Sequence, residues 1–171
     1  KFFESGIMIE GTVFHYNVDS IKEEIFSLKE VIEKAKSYID FDLKEYLVTD
    51  EKLEKWKYLK GGKRIERKTK EGHSYIYSEG NMAFPENMEE PARTLLTSEG
   101  TTNRSSHIIY DNKQKKYRTL TEIECEIIQM FPPDWTDTMP KRNRYFMMGN
   151  ALVTGIISRL EPTLKKIIEN E

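Results

Sequence analysis

Helical periodicity is confined to the two ends of this sequence and disappears across residues 61–117. In that middle third, glycine, proline and asparagine separate short β-type runs, and we predict strands at residues 75–77, 93–97 and 106–110. The connecting loops are long, and long ordered loops on a compact scaffold are commonly binding surfaces. The pattern therefore predicts an α+β fold in which a strand-and-loop region lies between helices.

Three helix starts are marked by N-cap residues. Ser20 with Glu23 and Thr121 with Glu124 each form a capping box, in which a hydroxyl and a carboxylate satisfy the first free amide groups. Thr49 is a natural N-cap for a short helix that Gly61-Gly62 should end. The apolar faces of these helices are predicted as Ile21, Ile25, Leu28, Val31 and Ile32 up to about Ala35; Leu53, Trp56 and Leu59; and Ile123, Ile127, Ile128 and Phe131 before Pro132-Pro133.

The two ends of the chain carry apolar segments. Residues 7–16 mix β-branched and aromatic side chains around Glu10-Gly11, which predicts a β-hairpin. Residues 149–160 form an apolar run of helical length, and Pro162 should kink or interrupt it before Leu164. In this run we predict the following core residues: Ala151, Leu152, Ile156, Ile157 and Leu160.

Charge is unevenly distributed, although the formal net charge is only −2. The first 51 residues contain six basic and twelve acidic side chains, whereas residues 52–70 contain nine basic side chains against two acidic ones. A phosphate backbone would favour that basic segment. The alternative is a solvated, lysine-rich helix and loop, because charge runs are common on protein surfaces.

The rest of the composition argues against a membrane, secreted, disulfide-bonded or metal-binding protein. With 37% hydrophobic and 33% charged residues the chain should be globular and soluble, with no run long enough to cross a bilayer. Residues 1–11 show no signal-peptide pattern, so we expect a cytoplasmic protein without a membrane partner. Its single cysteine, Cys125, forms no internal disulfide, and the widely spaced His15, His73 and His107 suggest no metal site.

Two blocks near the carboxy terminus resemble a known family. The first reads Arg118-x-Leu120-Thr121-x-x-Glu124 and continues to Gln129-x-Phe131-Pro132, and the second reads Arg144-Tyr145-x-x-Met148-Gly149-Asn150-Ala151-Leu152. In this order and separation they are similar to the ninth and tenth motifs of bacterial DNA cytosine-C5 methyltransferases. Residues 43–60 and 77–100 also resemble family segments, the latter a target-recognition region. The likeness covers most of the chain and is most specific over residues 78–160.

The resemblance implies an organisation of four parts. Residues 1–48 would lead into a small recognition domain at residues 49–117, followed by a bracing helix and loop at residues 118–147. Residues 148–171 would form a helix that belongs to a Rossmann-like catalytic domain absent from the sequence. The implied function is that of a fragment or subunit of a restriction-modification methyltransferase. Its partners would be double-stranded DNA and an amino-terminal catalytic domain or subunit. The alternatives are a free-standing DNA-binding or regulatory module and an unrelated α+β interaction domain.

Candidate site residues follow from side-chain chemistry within this resemblance. Base edges in the major groove would be read by the donors and acceptors of Arg93, Ser98, Glu99, Thr101, Thr102, Asn103 and Arg104. Phosphates would be bound by Lys63, Arg64, Arg67, Ser105 and Ser106. Arg104 is the best candidate for guanine readout, because a guanidinium offers a bidentate fork. By motif position Thr94 would contact the backbone of a flipped nucleotide; the alternative is an ordinary strand threonine.

The same resemblance implies one edge of a cofactor site. Asn150, with Gly149 and Ala151, would lie beside S-adenosylmethionine; the alternative is an asparagine that caps the last helix. The family's glycine-rich turn, Pro-Cys nucleophile, Glu-Asn-Val carboxylate and Gln-x-Arg-x-Arg element do not occur in these 171 residues. Cys125 lies between two glutamates that disfavour a thiolate, so it is not the nucleophile, and the chain alone is expected to be inactive.

Overall fold

The computed structural model describes residues 5–17, 19 and 22–170, and within them six strands and five α-helices form an α+β arrangement. The strands pair as three separate two-stranded antiparallel sheets. The elements are β1 (Ser5–Ile9), β2 (Thr12–Tyr16), α1 (Leu28–Ala35), a 3-10 helix (Leu43–Tyr46), α2 (Asp50–Lys60), β3 (Lys63–Lys68), β4 (Ser74–Glu79), β5 (Ile108–Asp111), β6 (Lys116–Thr119), α3 (Glu122–Ile128), α4 (Lys141–Asn150) and α5 (Thr154–Glu169). No helix in the described ranges is long and apolar enough to cross a membrane.

The core is built around α3. Its apolar side packs against α1 and α4, and the loop residue Leu95 belongs to the same buried cluster. The buried cluster consists of Leu28, Val31, Ala35, Leu95, Ile109, Leu120, Ile123, Cys125, Ile127, Tyr145 and Met148. The predicted capping box at Thr121 is confirmed: its hydroxyl accepts from the Glu124 amide, and the Glu124 carboxylate accepts from the Thr121 amide at 2.8 Å.

Other sequence predictions of local structure are also confirmed. The β1–β2 hairpin turns at Glu10-Gly11, where both residues have positive φ. Helix α2 is capped by Thr49 and ends at Gly61, with Trp56 buried on its inner side. The strands predicted at residues 75–77 and 106–110 correspond to β4 and β5.

The predicted start of the first helix is wrong. Ser20 lies outside the described residues, and residues 22–27 are not helical. Helix α1 begins at Leu28 instead, because Ser27 and Glu30 form the capping box that satisfies its first amides. Ile25 is consequently exposed, while Leu28, Val31 and Ala35 form the face that packs on α3.

The strand predicted at residues 93–97 does not exist. Residues 91–96 have no regular structure and pair with no strand of the described chain. Leu95 is 2% exposed, so the apolar residue that suggested a strand is instead a core anchor of an irregular segment. A Cβ atom added to Gly149 would lie 2.3 Å from the Leu96 carbonyl carbon, so helix α4 packs directly onto this backbone.

The apolar run at residues 149–160 is not one helix. Its first two residues end α4, a helix that we did not predict, and residues 151–153 are extended before α5 begins at Thr154. Gln129 holds this break, since its side-chain amide donates to the Met148 carbonyl at 2.7 Å and its own carbonyl accepts from the Thr154 amide at 3.0 Å. The Thr154 hydroxyl donates to the Met130 carbonyl at 2.6 Å.

Helix α5 differs from the sequence prediction in two further ways. It runs through Pro162 without interruption. Proline has no amide hydrogen to donate, so the carbonyl four residues earlier loses its helical partner, but that carbonyl lies on an exposed helix and can bind water. No residue of α5 is buried, so Ile156, Ile157 and Leu160, like Leu152 before them, are not core residues of the described chain. Ala151, by contrast, packs against the core as predicted.

Candidate nucleic-acid interface

The β3–β4 hairpin carries the second part of the predicted basic segment, from residue 63, away from the core, whereas residues 52–60 lie in α2. Its two strands pair with each other from Lys63↔Glu79 to Lys68↔Ser74, and no described helix or other strand packs broadly against them. Arg64, Arg67 and Lys68 are exposed on β3. The hairpin is therefore an exposed, two-stranded ribbon with a basic strand.

Aromatic side chains accompany these cations. The guanidinium of Arg67 lies 3.7 Å from the centroid of the Tyr77 ring, and the ammonium of Lys63 lies 4.8 Å from that of Tyr58. Tyr75 and Ile76 on β4 are 45% and 57% exposed. Exposed aromatic and cationic groups on one ribbon fit stacking and phosphate contacts with a nucleic acid.

Arg104 does not extend into solvent but lies at the base of this hairpin. Its Nη1 donates to the Glu79 carboxylate at 2.6 Å and to the Leu59 carbonyl at 3.0 Å. Its Nη2 donates to the Gly80 carbonyl. Lys63 reinforces the contact by binding Glu79 at 3.2 Å and Leu59 at 2.8 Å. Guanine readout by Arg104 stays a prediction, but its donors already have acceptors within the chain.

Glu79 is the shared acceptor of this cluster. The hydrogen bond from the Tyr77 hydroxyl, together with the charges of Arg104 and Lys63, holds the pKa of the Glu79 carboxyl below its usual range. The carboxylate is therefore ionised at neutral pH. We call the contacts of Arg104 and Lys63 with Glu79 the hairpin clamp.

Arg93 is held in a second ion cluster. It makes two hydrogen bonds to the Glu86 carboxylate, at 2.6 and 2.9 Å. Glu86 also binds the ammonium of Lys60, which is 1% exposed. Burial would raise the pKa of Glu86, but the hydrogen bond from Arg93 and the charge of Lys60 outweigh it and leave that pKa lowered.

The polar loop after Leu95 is partly exposed and partly held by hydrogen bonds within the chain. Thr101 is exposed, like Thr94 before the loop, whereas Ser98 and Asn103 are half-buried. The Thr101 hydroxyl donates to the Ser98 carbonyl at 2.6 Å, and the Asn103 carboxamide oxygen accepts from the Ser105 amide at 2.9 Å. The loop is thus an ordered turn structure that presents a few hydroxyls.

Glu99 is not available to read a base, contrary to our expectation. It is 2% exposed, accepts from the backbone amide of His107 at 2.8 Å, and contacts the His107 ring nitrogen Nδ1 at 2.9 Å. His107 itself is fully buried. Ser106 is also buried, and its hydroxyl donates to the Thr101 carbonyl at 2.7 Å. These residues fix the polar loop from beneath.

The three residues predicted at the cofactor edge lie together where α4 ends. Gly149 packs on the Leu96–Thr97 backbone, Ala151 accepts a long hydrogen bond from Gln129, and Asn150 is exposed. The Asn150 amide donates to the Phe146 carbonyl of its own helix at 3.0 Å. Asn150 closes α4 and does not cap α5. With Asn150 open to solvent, these residues alone do not enclose a ligand.

Cys125 is a core residue. It is fully buried, and burial, followed by the nearby charge of Glu99, raises the pKa of its thiol well above the usual value. A buried, protonated thiol is a poor nucleophile. The prediction that Cys125 is structural agrees with this environment.

A broad apolar surface lies on α5. Six side chains recur along one side of the helix, and each is between 49% and 71% exposed. They are Ile156, Ile157, Leu160, Leu164, Ile167 and Ile168, and we call them the α5 stripe. Leu152 and Phe146, at 71% and 54% exposed, lie near its start in the sequence. Contiguous exposed apolar surface of this kind marks an interaction site.

Sequence reasoning missed the acidic partners of the predicted arginines. Glu79 and Glu86 lie in the segment that resembles a recognition region, but nothing in that resemblance marks them as partners of the arginines. The carbonyls of Leu59 and Gly80 cannot be read from side-chain chemistry. A signal was present for Lys60 alone, because it follows Trp56 at helical spacing and so shares the inner side of α2.

Comparison with known proteins gives two matches. A family model described as C-5 cytosine-specific DNA methylase matches residues 8–166. The chain is 42% identical over 167 residues to the type II methyltransferase M.Sau3AI of Staphylococcus aureus. That alignment covers 98% of this chain but only 39% of the relative's length. No solved structure matches the chain.

Proposed function

Because the chain belongs to the C-5 cytosine-specific DNA methylase family, we propose that it supplies the DNA-recognition region and the returning helix of a restriction-modification methyltransferase. Its length, 39% of the similar type II methyltransferase, supports a role as one part of a larger enzyme. The catalytic nucleophile would come from an upstream domain or subunit, and the chain alone would transfer no methyl group.

The observation that carries the proposal is that one small chain exposes two surfaces of unlike chemistry. The β3–β4 hairpin is basic and polar, whereas the α5 stripe is apolar, and both are exposed. Polar, cationic surface suits DNA, and apolar surface suits a protein. We assign duplex DNA to the hairpin side and the catalytic domain to α5.

On the DNA side, the exposed members of the predicted set support the proposal most strongly. Arg64 and Arg67 would contact phosphates from the hairpin, and Thr94 would do so from the irregular segment. Ser98, Thr101 and Asn103 would approach base edges or the backbone from the polar loop. Lys63, Arg93 and Arg104 are the members whose charges are already paired within the chain.

On the catalytic side, family members generally take their methyl group from S-adenosylmethionine. The exposed Asn150 carboxamide, with Gly149 and Ala151, would form one edge of that pocket after α5 docks. The amide would orient the donor's polar end by hydrogen bonding. Residues that this sequence does not contain would have to enclose the rest.

The second candidate function is a free-standing DNA-binding or regulatory module. Such a module should cover its own apolar helix, since an exposed stripe would make it self-associate. All six residues of the α5 stripe are about half exposed or more, which favours the first proposal.

Removing one exposed hairpin cation tests the DNA-binding half of the proposal. Arg64→Ala should weaken binding to any duplex alike and reduce the slope of log affinity against log salt by about 1, because one phosphate contact is lost. Fluorescence anisotropy with a labelled duplex at several salt concentrations measures both quantities. Lys29→Ala, which removes an exposed cation of α1, should change neither. An unchanged slope for Arg64→Ala would remove it from the DNA surface.

Thr94 and Asn150 are tested in the assembled enzyme. When the chain is mixed with an upstream subunit that carries Pro-Cys, Thr94→Ala and Asn150→Ala should each lower methyl transfer by about tenfold or more, the cost of one lost transition-state hydrogen bond. Radiolabelled methyl incorporation into DNA measures it. Because both side chains are exposed, folding should be intact. Unchanged transfer would reject both roles.

A further inference from the structure

Resting on the proposed function, we infer that the β3–β4 hairpin is the element that enters the major groove of the duplex, and that Arg104 is a positioning residue that fixes the hairpin at its base. Arg104 would then determine where the hairpin points without contacting a base.

The shape and composition of the hairpin suit a groove. An antiparallel two-stranded ribbon fits the major groove of B-form DNA, which is about 12 Å wide. One side of the ribbon, made by alternate residues of both strands, carries Arg64, Glu66, Lys68, Ser74 and Ile76. These side chains include donors, an acceptor and an apolar group, the three kinds of contact that base edges and the thymine methyl group require.

The opposite side of the ribbon is engaged within the chain. Arg67 stacks on Tyr77, the Tyr77 hydroxyl donates to Glu79, and Lys63 pairs with Glu79. This internal network stiffens the ribbon and leaves the Arg64 side free. A stiff ribbon loses less conformational entropy when it enters a groove.

The hairpin clamp joins the ribbon to the rest of the fold. Beyond the clamp, the base is held by the Gly62 amide donating to the Asn81 side chain and by the Met82 amide donating to the Lys60 carbonyl at 2.8 Å. Arg104 donates to four acceptors here, on Leu59, Gly61, Glu79 and Gly80. Since no other element in the described part of the chain packs broadly against β3 or β4, these few bonds set the direction of the ribbon.

The same contacts argue against base readout by Arg104. A bidentate contact with guanine uses two guanidinium donors on one edge. Both terminal nitrogens of Arg104 are occupied by internal acceptors, and the side chain is 23% exposed. To reach a base it would have to leave a carboxylate that is ionised and held in place, which costs binding energy.

Photo-crosslinking tests the position of the hairpin. Benzoylphenylalanine in place of Ile76 should crosslink the full chain to a duplex, whereas the same group in place of Ile168 on α5 should not. Both positions are exposed, at 57% and 71%, so neither change should disturb folding. With an A·T-rich duplex, excess netropsin, a minor-groove ligand, should leave the yield unchanged. Absence of crosslinking from position 76, or its loss with netropsin, overturns the groove assignment.

A double-mutant cycle tests the clamp. The probe is a duplex selected from a random pool by the wild-type chain. Arg104→Ala and Glu79→Gln should each weaken its binding by about tenfold. The double variant should weaken it by clearly less than the roughly hundredfold expected of independent sites, because both substitutions act on the shared Arg104–Glu79 contact. The salt slope should stay at its wild-type value, since no phosphate contact is lost. Hydrogen exchange at the Gly62 and Met82 amides should accelerate in both single variants.

The rival result is distinct. If Arg104 reads guanine, Arg104→Ala loses affinity for the selected duplex but not for random duplex, and Glu79→Gln keeps wild-type affinity and wild-type exchange. That result overturns the inference while leaving the proposed function intact. If the folded wild-type chain binds no duplex from the random pool, that result overturns the DNA-binding proposal as well. Glu79→Gln keeps the size of the side chain at a half-buried position outside the core, so it gives a folded variant even if Arg104→Ala does not.

Discussion

Replacing Arg118 by methionine should lower the free energy of unfolding of the chain by about 3–5 kcal/mol, because it leaves a buried carboxylate without its partner. Arg118 is 2% exposed and Glu124 is fully buried. The guanidinium donates to both Glu124 carboxylate oxygens, at 2.6 and 2.8 Å. Burial would lower the pKa of Arg118, but the hydrogen bonds to Glu124 and the charge of Asp111 outweigh it and raise that pKa. Chemical denaturation followed by circular dichroism measures the loss.

Two controls separate this pair from ordinary surface charge. Lys29→Met breaks the exposed pair with Glu89, and it should change stability by about 1 kcal/mol or less. The double variant Arg118→Met with Glu124→Gln removes both charges while keeping an acceptor for the Thr121 amide, so its loss should be smaller than the sum of the single losses. A loss for Arg118→Met as small as that for Lys29→Met would contradict the structural role of the pair.

Charging the α5 stripe should disrupt assembly with the catalytic half. Ile156→Asp together with Leu160→Asp should weaken that association by roughly a thousandfold, because each central apolar contact is expected to contribute on the order of 2 kcal/mol. Binding can be measured by calorimetry between the chain and an upstream subunit of the same enzyme. Methyl transfer should fall together with this association when the subunit concentrations are near the wild-type dissociation constant.

The matched control lies on the opposite side of the same helix. Ser158→Asp adds a charge to α5 away from the stripe, and it should leave association unchanged. Both variants should keep the stability of the wild-type chain, because no α5 side chain is buried. Equal association of the wild-type and the stripe variant would remove the stripe from the interface.

Local signals in the sequence predicted the elements whose ends are fixed by neighbouring residues. The turn at Glu10-Gly11, the cap at Thr49 and the capping box at Thr121 are confirmed, since each depends on contacts within a few residues. The family was also predicted from two motif blocks and is confirmed over residues 8–166.

Contacts between distant residues could not be read in the same way. Leu95 looked like a strand residue, but its burial depends on the space between α1, α3 and α4. The break between α4 and α5 depends on Gln129, more than twenty residues upstream of Thr154. The pairing of Arg104 with Glu79 and of Arg93 with Glu86 similarly depends on the fold. An arginine in a polar loop therefore has the same sequence signature whether it binds a base or a carboxylate.

Three residues of the α5 stripe, Ile156, Ile157 and Leu160, were predicted as core for a related reason. Apolar residues at helical spacing predict a buried face, and the spacing does not reveal whether the covering surface belongs to the same chain. In the described residues that face is open. Its exposure is why we assign part of the core to a missing domain.

Methyl transfer by reconstitution tests the central claim most directly. The chain and an upstream subunit carrying Pro-Cys are incubated separately and together with duplex DNA and radiolabelled S-adenosylmethionine. We predict incorporation into DNA only when both are present. Incorporation by this chain alone would contradict the claim. A mixture of the two folded proteins that incorporates no more label than the background would also contradict it.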